Sequence, residues 1–148
     1  MLQSMGGGAW NDIPTTIGIG GNHHNLAHGG IGRKPDGSGL AKYDKFQGEL
    51  LTEFIKKLAA TPEANGTLLD NTLVYYGCSN SNTHNNSNYP LLLCGGKNLG
   101  LKHGKFHMLQ DRKAPLNNLY VTLLNTLDAP TQKFSDSTGT LDDILLKA

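Results

Sequence analysis

The stretch Asp70-Asn-Thr-Leu-Val-Tyr-Tyr-Gly77 decides how the middle of this chain folds. Asp and Asn favour a turn, and the β-branched and aromatic residues after them favour a strand, so we expect a buried strand from Thr72 to Tyr76. A second apolar run, Tyr89-Pro-Leu-Leu-Leu-Cys94, is followed by two glycines and predicts another short strand. A short sheet therefore forms the centre of the expected fold.

Two amphipathic helices are expected to flank these strands. Between Leu40 and about Ala60, apolar residues recur at three and four residues with Lys and Glu between them, and Pro62 ends the pattern. A last helix is predicted over roughly Pro115 to Leu127, with the proline at its first position. We expect both apolar stripes to face the core: they are Tyr43, Phe46, Leu50, Phe54 and Leu58, and Leu116, Leu119, Tyr120, Leu123, Leu124 and Leu127.

The two ends of the chain are poorer in large apolar side chains. Residues 1–39 are rich in glycine, and residues 1–19 are expected to be irregular or a linker, with one possible strand where isoleucines alternate between Ile13 and Ile19. The tail from Phe134 to Ala148 is predicted to be a polar turn and a short amphipathic end. This order of elements indicates an α/β fold: a short sheet with flanking helices and long Gly/Asn-rich loops.

Length, charge and cysteine content limit the function classes. With 148 residues, of which 19 are glycine, the chain fits a single loop-rich domain over residues 1–148. A net charge of +1 predicts no nucleic-acid partner, and no apolar run approaches the roughly 20 residues of a membrane helix.

The N-terminus lacks a signal-peptide pattern, so the expected location is cytoplasmic by default. Cys78 and Cys94 allow one disulfide, but two thiols are the simpler expectation.

All six histidines fall into three short polar clusters, and none lies in an apolar run. Histidine is the commonest metal ligand, and the glycines and asparagines around these residues let the backbone turn sharply. A composite polar site is therefore expected. The clusters contain His23, His24 and His28, then His84, then His103 and His107.

The spacing within these clusters predicts a metal site. His24 and His28 are four residues apart, so a helical turn would put both on one face, as two ligands of one ion require. His84, Asn80 and Asn82 belong to the polar run after the first predicted strand, where open α/β sheets usually bind ligands. Imidazoles with amide or carboxylate oxygens suit zinc, manganese or calcium, and thiolate ligation is not expected.

The other polar residues leave several alternatives open. Adjacent His23 and His24 cannot point the same way in an extended chain, so one of them is expected to be structural. His103 is a candidate acid/base or fourth ligand, whereas His107 could equally cap a turn or face solvent. Asparagine runs are ordinary in turns, so this run need not have any function beyond forming a turn. Ser79 and Ser81 lie near His84 in sequence, but a serine nucleophile also needs a base within hydrogen-bond reach.

Several segments, taken in order, resemble a known family. They are His24-Asn-Leu-Ala-His-Gly29, Gly66-Thr-Leu-Leu-Asp-Asn-Thr-Leu-Val-Tyr-Tyr-Gly77, Asn82-Thr-His-Asn-Asn-Ser-Asn-Tyr-Pro90, Leu91-Leu-Leu-Cys-Gly-Gly96, Lys102-His-Gly-Lys-Phe-His107, Pro115-Leu-Asn-Asn-Leu-Tyr120 and Asp136-Ser-Thr-Gly139. About residues 20–145 resemble the C-terminal part of a bacterial family of unknown function named for its His-x-x-Ser-His-His motif. Ala27 and Gly29 depart from that motif, so no role is carried over to them. Family members are longer and often exported.

The layout is also similar to the C-terminal half of alkaline-phosphatase-like enzymes. In those enzymes two metal ligands spaced by four residues precede a second group beyond a strand, and a final histidine follows. His24 and His28, then residues 80–84, then His103 or His107, have that order here. The resemblance implies the C-terminal part of an alkaline-phosphatase-like fold and phosphate or sulfate ester substrates. The serine or threonine nucleophile of such enzymes lies in the N-terminal half, to which this chain shows no likeness.

The sequence thus predicts a metal-dependent hydrolase of small ester-type substrates. Water activated by a divalent ion would attack carboxylic esters or lactones if the chain acts alone, and an imidazole outside the metal shell would move the proton. The alternative is a non-catalytic metal- or ligand-binding fragment of a larger protein. The predicted metal ligands are His24, His28, His84, Asn80 and Asn82, and the predicted catalytic residues are His103 and His84.

Overall fold

A computed structural model describes residues 13–19, 23–28, 38–78, 84–88, 90–109 and 114–146. The chain divides into two compact units, Met1–Ile55 and Lys56–Ala148. The described residues contain helices and two short antiparallel sheets, which confirms the coarse α/β prediction. The prediction that residues 1–148 fold as a single domain stays a prediction.

The first unit contains a short helix where a strand was expected. Helix α1 spans Ile13–Thr16 and helix α2 spans His23–His28, so the strand predicted between Ile13 and Ile19 is wrong. Pro14 suits the first turn of a helix, where no backbone N–H is needed. The turn closes at Gly18, whose φ of 74° is left-handed and whose N–H donates to the Thr15 carbonyl at 3.0 Å.

A small apolar cluster holds the first unit together. Ile19, Leu26 and Tyr43 are buried, with 7%, 0% and 2% of their surface exposed, and the half-buried Ile17 and Leu40 pack against them. Leu26 comes from α2 and Tyr43 from the next helix. The cluster therefore fixes which side of α2 faces inward.

Helix α3 spans Ser38–Ala60, which confirms the predicted long helix. The prediction that its whole stripe faces a core is wrong. Tyr43 and Leu58 are buried, but Leu50 and Phe54 are 49% and 41% exposed. The boundary between the units falls at Ile55, within this helix. Apolar periodicity fixes a common face for these residues, but it does not fix what covers that face.

Two hairpins open the second unit. Strands β1 (Pro62–Glu63) and β2 (Gly66–Thr67) form the first, and the Asp70 carboxylate closes it by accepting from the Thr67 N–H and the Thr67 hydroxyl, both at 2.8 Å. These bonds hold the pKa of the Asp70 carboxyl below its ordinary value. Strands β3 (Leu73–Gly77) and β4 (Leu91–Gly95) form the second hairpin and pair in antiparallel register.

The second hairpin confirms both predicted strands and corrects two expectations about them. Only Val74 of β3 is buried, whereas Tyr75 and Tyr76 are each 38% exposed, so the strand is not the buried one expected. Because β3 pairs antiparallel with β4, the polar run after β3 is a hairpin connection. The carboxyl-edge argument for a ligand site applies to open parallel sheets and does not apply here.

The core of the second unit gathers around helix α4, which spans Asn117–Thr126 and confirms the last predicted helix. Pro115 precedes the N-cap Leu116 rather than occupying the first helical position, and Leu127 is 50% exposed. A 3₁₀ turn spans Lys97–Leu99, and helix α5 spans Asp142–Leu145. The buried core residues are Leu101, Leu119, Leu123 and Leu145.

Two buried polar side chains of α4 hold the tail in place. The Asn118 side-chain oxygen accepts from the Thr138 N–H at 2.8 Å and the Gly139 N–H at 3.3 Å. The Thr122 hydroxyl, fully buried, accepts from the Leu141 N–H at 2.8 Å and donates to the Asp142 carboxylate at 2.7 Å. These bonds give each buried polar group a partner. Without such partners, removing the groups from water would destabilise the fold.

Two further sequence expectations concern cysteines and membranes. Cys78 and Cys94 are thiols rather than a disulfide, and burial raises the pKa of the Cys94 thiol. Across the described parts of the chain, no helix is long and apolar enough to cross a membrane.

Candidate functional site

Helix α2 carries the predicted histidine pair. Positions 24 and 28 are four residues apart in a six-residue helix, so they share a face. Leu26 lies between them and is fully buried, which places both positions on the opposite side of the helix, about 160° away at 100° per residue. His24 is exposed, in agreement with this placement, whereas the His28 side chain lies outside the description.

His23 is the packed member of the adjacent pair. Its ring lies 4.9 Å from the ring of buried Tyr43, tilted by 37°. Burial lowers the pKa of His23, opposed by the negative charge of Asp44 and reinforced by neighbouring His24. Burial likewise raises the pKa of Asp44. His23 therefore serves the packing of α2 on α3, while its neighbour His24 stays at the surface.

His84 lies in the connection between β3 and β4. It is exposed and has a φ of 59°, and Asn88 has a similar φ of 55°. Between them, the Asn85 side-chain oxygen accepts from the Ser87 N–H at 3.1 Å and the Ser87 hydroxyl at 2.8 Å, which closes a tight turn. The predicted oxygen ligands Asn80 and Asn82, like Ser79 and Ser81, lie outside the described residues.

His103 and His107 lie in the exposed segment 102–109. The His103 Nε2 atom is 2.5 Å from the carbonyl oxygen of Gly95 at the end of β4, so this ring is tied to the hairpin. His107 is exposed, as are Phe106 and Met108 on either side of it. Of the two predicted alternatives for the last histidine, His103 is the one that the backbone orients.

Two of the predicted ligand positions lie on a shared helix face. Positions 24 and 28 meet on one face of α2, whereas His84 and His103 belong to the second unit. Within the described residues, no three side chains of His, Cys, Asp and Glu converge as metal ligands. That statement does not cover the His28 side chain, Asn80 or Asn82, which lie outside the described part of the chain. Positions 24 and 28 thus lie on one face of α2, and all of the predicted metal ligands stay predictions.

Sequence reasoning missed the Gly95 carbonyl as a part of the site. The glycine pair after β4 indicated only the end of a strand. The structure shows that Gly95 has a φ of 74° and that an added Cβ would overlap the carbonyl oxygens of Leu69 and Thr72. Only glycine fits this position without displacing backbone. A glycine pair directly after a strand was the available signal, but it does not reveal which side chain the carbonyl meets.

Sequence reasoning also missed an open cavity in the second unit. The cavity has a volume of about 420 Å³ and lies where the end of α4 meets the 3₁₀ turn and α5. Asp128, just past α4, has a left-handed φ of 55°, and Asp142 is held by the Thr122 hydroxyl. Polar and apolar groups line it together: Asn98, Asn125, Asp128, Asp142, Leu99 and Leu146.

Comparisons with protein-family models, with curated proteins and with solved structures find no match to this chain. The site is therefore interpreted from the chemistry of its own residues.

Proposed function

We propose that this chain is a metal-dependent hydrolase of ester-type bonds that binds a divalent ion through His24 and His28. The observation that carries the proposal is helix α2, where these two positions share the face opposite buried Leu26. Two imidazoles at this spacing are a recurrent pair of ligands for zinc and related ions. Zinc, manganese and calcium are the candidates. The prediction that His84, Asn80 and Asn82 supply further ligands belongs to this proposal.

The residues of α2 fit a metal ion in two respects. His24 is at the surface, where an ion can reach it without unfolding the helix. Leu26 and His23 anchor the inward side of α2, so the outward face is held in a fixed orientation before any ion binds. Orienting ligands in advance lowers the entropy that binding would otherwise cost.

A divalent ion held in this way would supply a Lewis acid, which would polarise a substrate oxygen and make water more acidic, as the hydrolysis of esters requires. The role of the protein is then to hold the ion and to move one proton. His24 and His28 would hold it, and His103, whose ring is fixed by the Gly95 carbonyl, would move the proton. The resemblance that we infer from the sequence, to the His-x-x-Ser-His-His family and to alkaline-phosphatase-like enzymes, would favour phosphate or sulfate esters. Carboxylic esters or lactones are favoured if the chain works alone.

A substrate panel tests the proposal. The purified full chain is stripped with a chelator, supplied separately with zinc, manganese or calcium, and assayed on chromogenic phosphate, sulfate, carboxylic ester and lactone substrates. We expect hydrolysis of one class only after an ion is restored, and at least a hundredfold loss in His24→Ala. His107→Ala serves as the matched control because His107 is also an exposed histidine. Activity that survives exhaustive chelation would contradict the metal mechanism.

The open cavity favours a second candidate, a non-catalytic ligand-binding function. Carboxylates and amides beside Leu99 and Leu146 suit a small polar molecule with an apolar face, and about 420 Å³ falls within the range of small-molecule sites. Amide resonances of Asn98 and Asn125 would report binding as glycerol or a small sugar is titrated. We expect shifts that saturate and that weaken in Asp128→Asn. Amide resonances that stay unchanged at high concentrations of glycerol and sugar would contradict the ligand-binding function.

A further inference from the structure

The ring of His103 makes a hydrogen bond that determines which of its two nitrogens carries the proton. Its Nε2 atom lies 2.5 Å from the Gly95 carbonyl oxygen. A carbonyl oxygen can only accept, so Nε2 carries the proton and donates. In a neutral imidazole the other nitrogen then holds a lone pair, because only one of the two is protonated. The bond therefore selects the tautomer in which Nδ1 is the basic atom.

The accepting carbonyl is held firmly by its surroundings. Gly95 pairs with Leu73 across the hairpin, and the next N–H, that of Gly96, donates to the Leu69 carbonyl at 3.0 Å. The left-handed φ of Gly95 turns the chain at this point, and the carbonyl oxygens of Leu69 and Thr72 occupy the space that a Cβ would need. The carbonyl that receives His103 is thus part of rigid backbone.

The chain just before His103 is fixed as well. Leu101 is 4% exposed in the core around α4, and its N–H donates to the Gly96 carbonyl at 3.1 Å. The Lys102 N–H donates to the Leu145 carbonyl at 2.8 Å. His103 itself is exposed. A solvent-facing ring is thus held at both its backbone and its Nε2 atom, an arrangement that suits proton transfer at the remaining nitrogen.

We propose that His103 is a proton-transfer residue that acts through Nδ1, with its Nε2–H held by the Gly95 carbonyl. This inference rests on the proposed hydrolysis of ester-type bonds and specifies the atom that performs it. Nδ1 accepts a proton as the O–H bond of the attacking water breaks and a new bond forms to the substrate carbonyl, phosphorus or sulfur atom. The imidazolium then gives that proton to the leaving-group oxygen as the ester bond breaks. Water is the only co-reactant, and the neutral ring is restored.

Nuclear magnetic resonance of the imidazoles in the ¹⁵N-labelled full chain tests the assignment without any assay of activity. For His103 we expect a protonated Nε2 whose hydrogen exchanges slowly with water, and an unprotonated Nδ1. His107 is the control, since it is exposed in the same segment and should exchange fast. A protonated Nδ1 in neutral His103, or an Nε2 hydrogen that exchanges as fast as that of His107, would overturn the assignment.

Two substitutions separate proton transfer from anchoring. In His103→Gln the amide nitrogen reaches about as far as Nε2 and can still donate to Gly95, but it cannot accept a proton as Nδ1 does. In His103→Asn the shorter side chain loses the anchor too. We expect kcat to fall by about 10²- to 10⁴-fold in both variants, with KM nearly unchanged. A His103→Gln variant that keeps wild-type kcat while His103→Asn loses it would show that His103 only anchors the segment.

The two arms distinguish this inference from the proposed function. If the wild-type chain hydrolyses nothing, the hydrolase proposal fails and so does the catalytic role of Nδ1, while slow Nε2 exchange would still support the tautomer. If hydrolysis occurs and both variants retain it, the hydrolase stands and His103 is excluded as its proton-transfer residue. Loss of kcat in both variants together with slow Nε2 exchange supports the whole inference.

Discussion

Helix α2 and the segment 102–109 each carry a constrained histidine and an exposed one, but they constrain the first in different ways. In α2 the His23 ring packs near the ring of Tyr43, and burial lowers the pKa of His23. In the segment 102–109 a single atom of His103 is tied to the Gly95 carbonyl, and the ring stays at the surface. Packing makes an imidazole part of the structure, whereas one backbone bond orients it and leaves its other nitrogen accessible.

The same comparison applies to what holds each region in place. Helix α2 depends on one fully buried apolar side chain, Leu26. The segment 102–109 depends on two hydrogen bonds to backbone carbonyls, from the Lys102 N–H to Leu145 and from the His103 ring to Gly95. We therefore expect α2 to fail through loss of packing and the segment to fail through displacement of backbone.

The largest effect is expected for Leu26→Ala. Deleting a fully buried leucine side chain leaves a cavity and costs about 2 to 5 kcal/mol of unfolding free energy. Urea unfolding followed by circular dichroism measures the loss. Leu50→Ala in α3 is the matched control because Leu50 is 49% exposed, and it should cost far less. Equal losses in the two variants would show that α2 is not held by this cluster.

A smaller loss of stability, with a specific change at His103, is expected for Gly95→Ala. A left-handed φ disfavours alanine by about 1 to 3 kcal/mol, and the new Cβ must also displace the carbonyl oxygens of Leu69 and Thr72. Gly100→Ala is the control, with a similar φ of 87° but no atom within 4 Å of the added Cβ. We expect the exchange of the His103 Nε2 hydrogen to accelerate only in Gly95→Ala. If the His103 Nε2 hydrogen exchanged at the wild-type rate in Gly95→Ala, the Gly95 carbonyl would not be what holds that hydrogen.

The smallest effect concerns the pH dependence set by His23. Because burial lowers its folded-state pKa, the unfolded chain binds the proton more readily. The resulting stability is fully present above the ordinary value of 6.5 and is lost as pH falls through the lowered folded-state pKa. His23→Phe keeps a ring beside Tyr43 and should flatten that dependence, whereas His107→Phe should not. Unfolding curves recorded at several pH values would contradict the account if His23→Phe kept the wild-type slope.

Local patterns along the chain predicted the elements better than their surroundings. The periodicity from Leu40 to Ala60 identified α3, because helix formation follows the spacing of apolar residues. The same periodicity could not predict that Leu50 is half exposed while Tyr43 is buried, since that depends on what packs against each turn. The alternating isoleucines after Ile13 indicated a strand, but Pro14 and Gly18 favour a short helical turn there.

The candidate site was predictable to the same extent. A spacing of four residues was enough to expect His24 and His28 on one face, because that relation is local to a helix. The role of the Gly95 carbonyl was not predictable, since it depends on a backbone turn meeting a side chain eight residues later. Nor could the sequence separate His23 from His24, whose different exposures follow from the position of Tyr43 on α3.

The most direct test of the central claim is the zinc content of the purified full chain after equilibrium dialysis against zinc. We predict one tightly bound ion in the wild-type chain and in His107→Ala, and loss of that ion in His24→Ala and His28→Ala. His24 is at the surface, so its removal should leave the fold intact, and circular dichroism would verify this. Loss of the ion is also expected in His84→Ala, because His84 is a proposed further ligand, and full zinc content there would exclude His84 from the site. Full zinc content in both His24→Ala and His28→Ala would contradict the claim that α2 binds the metal.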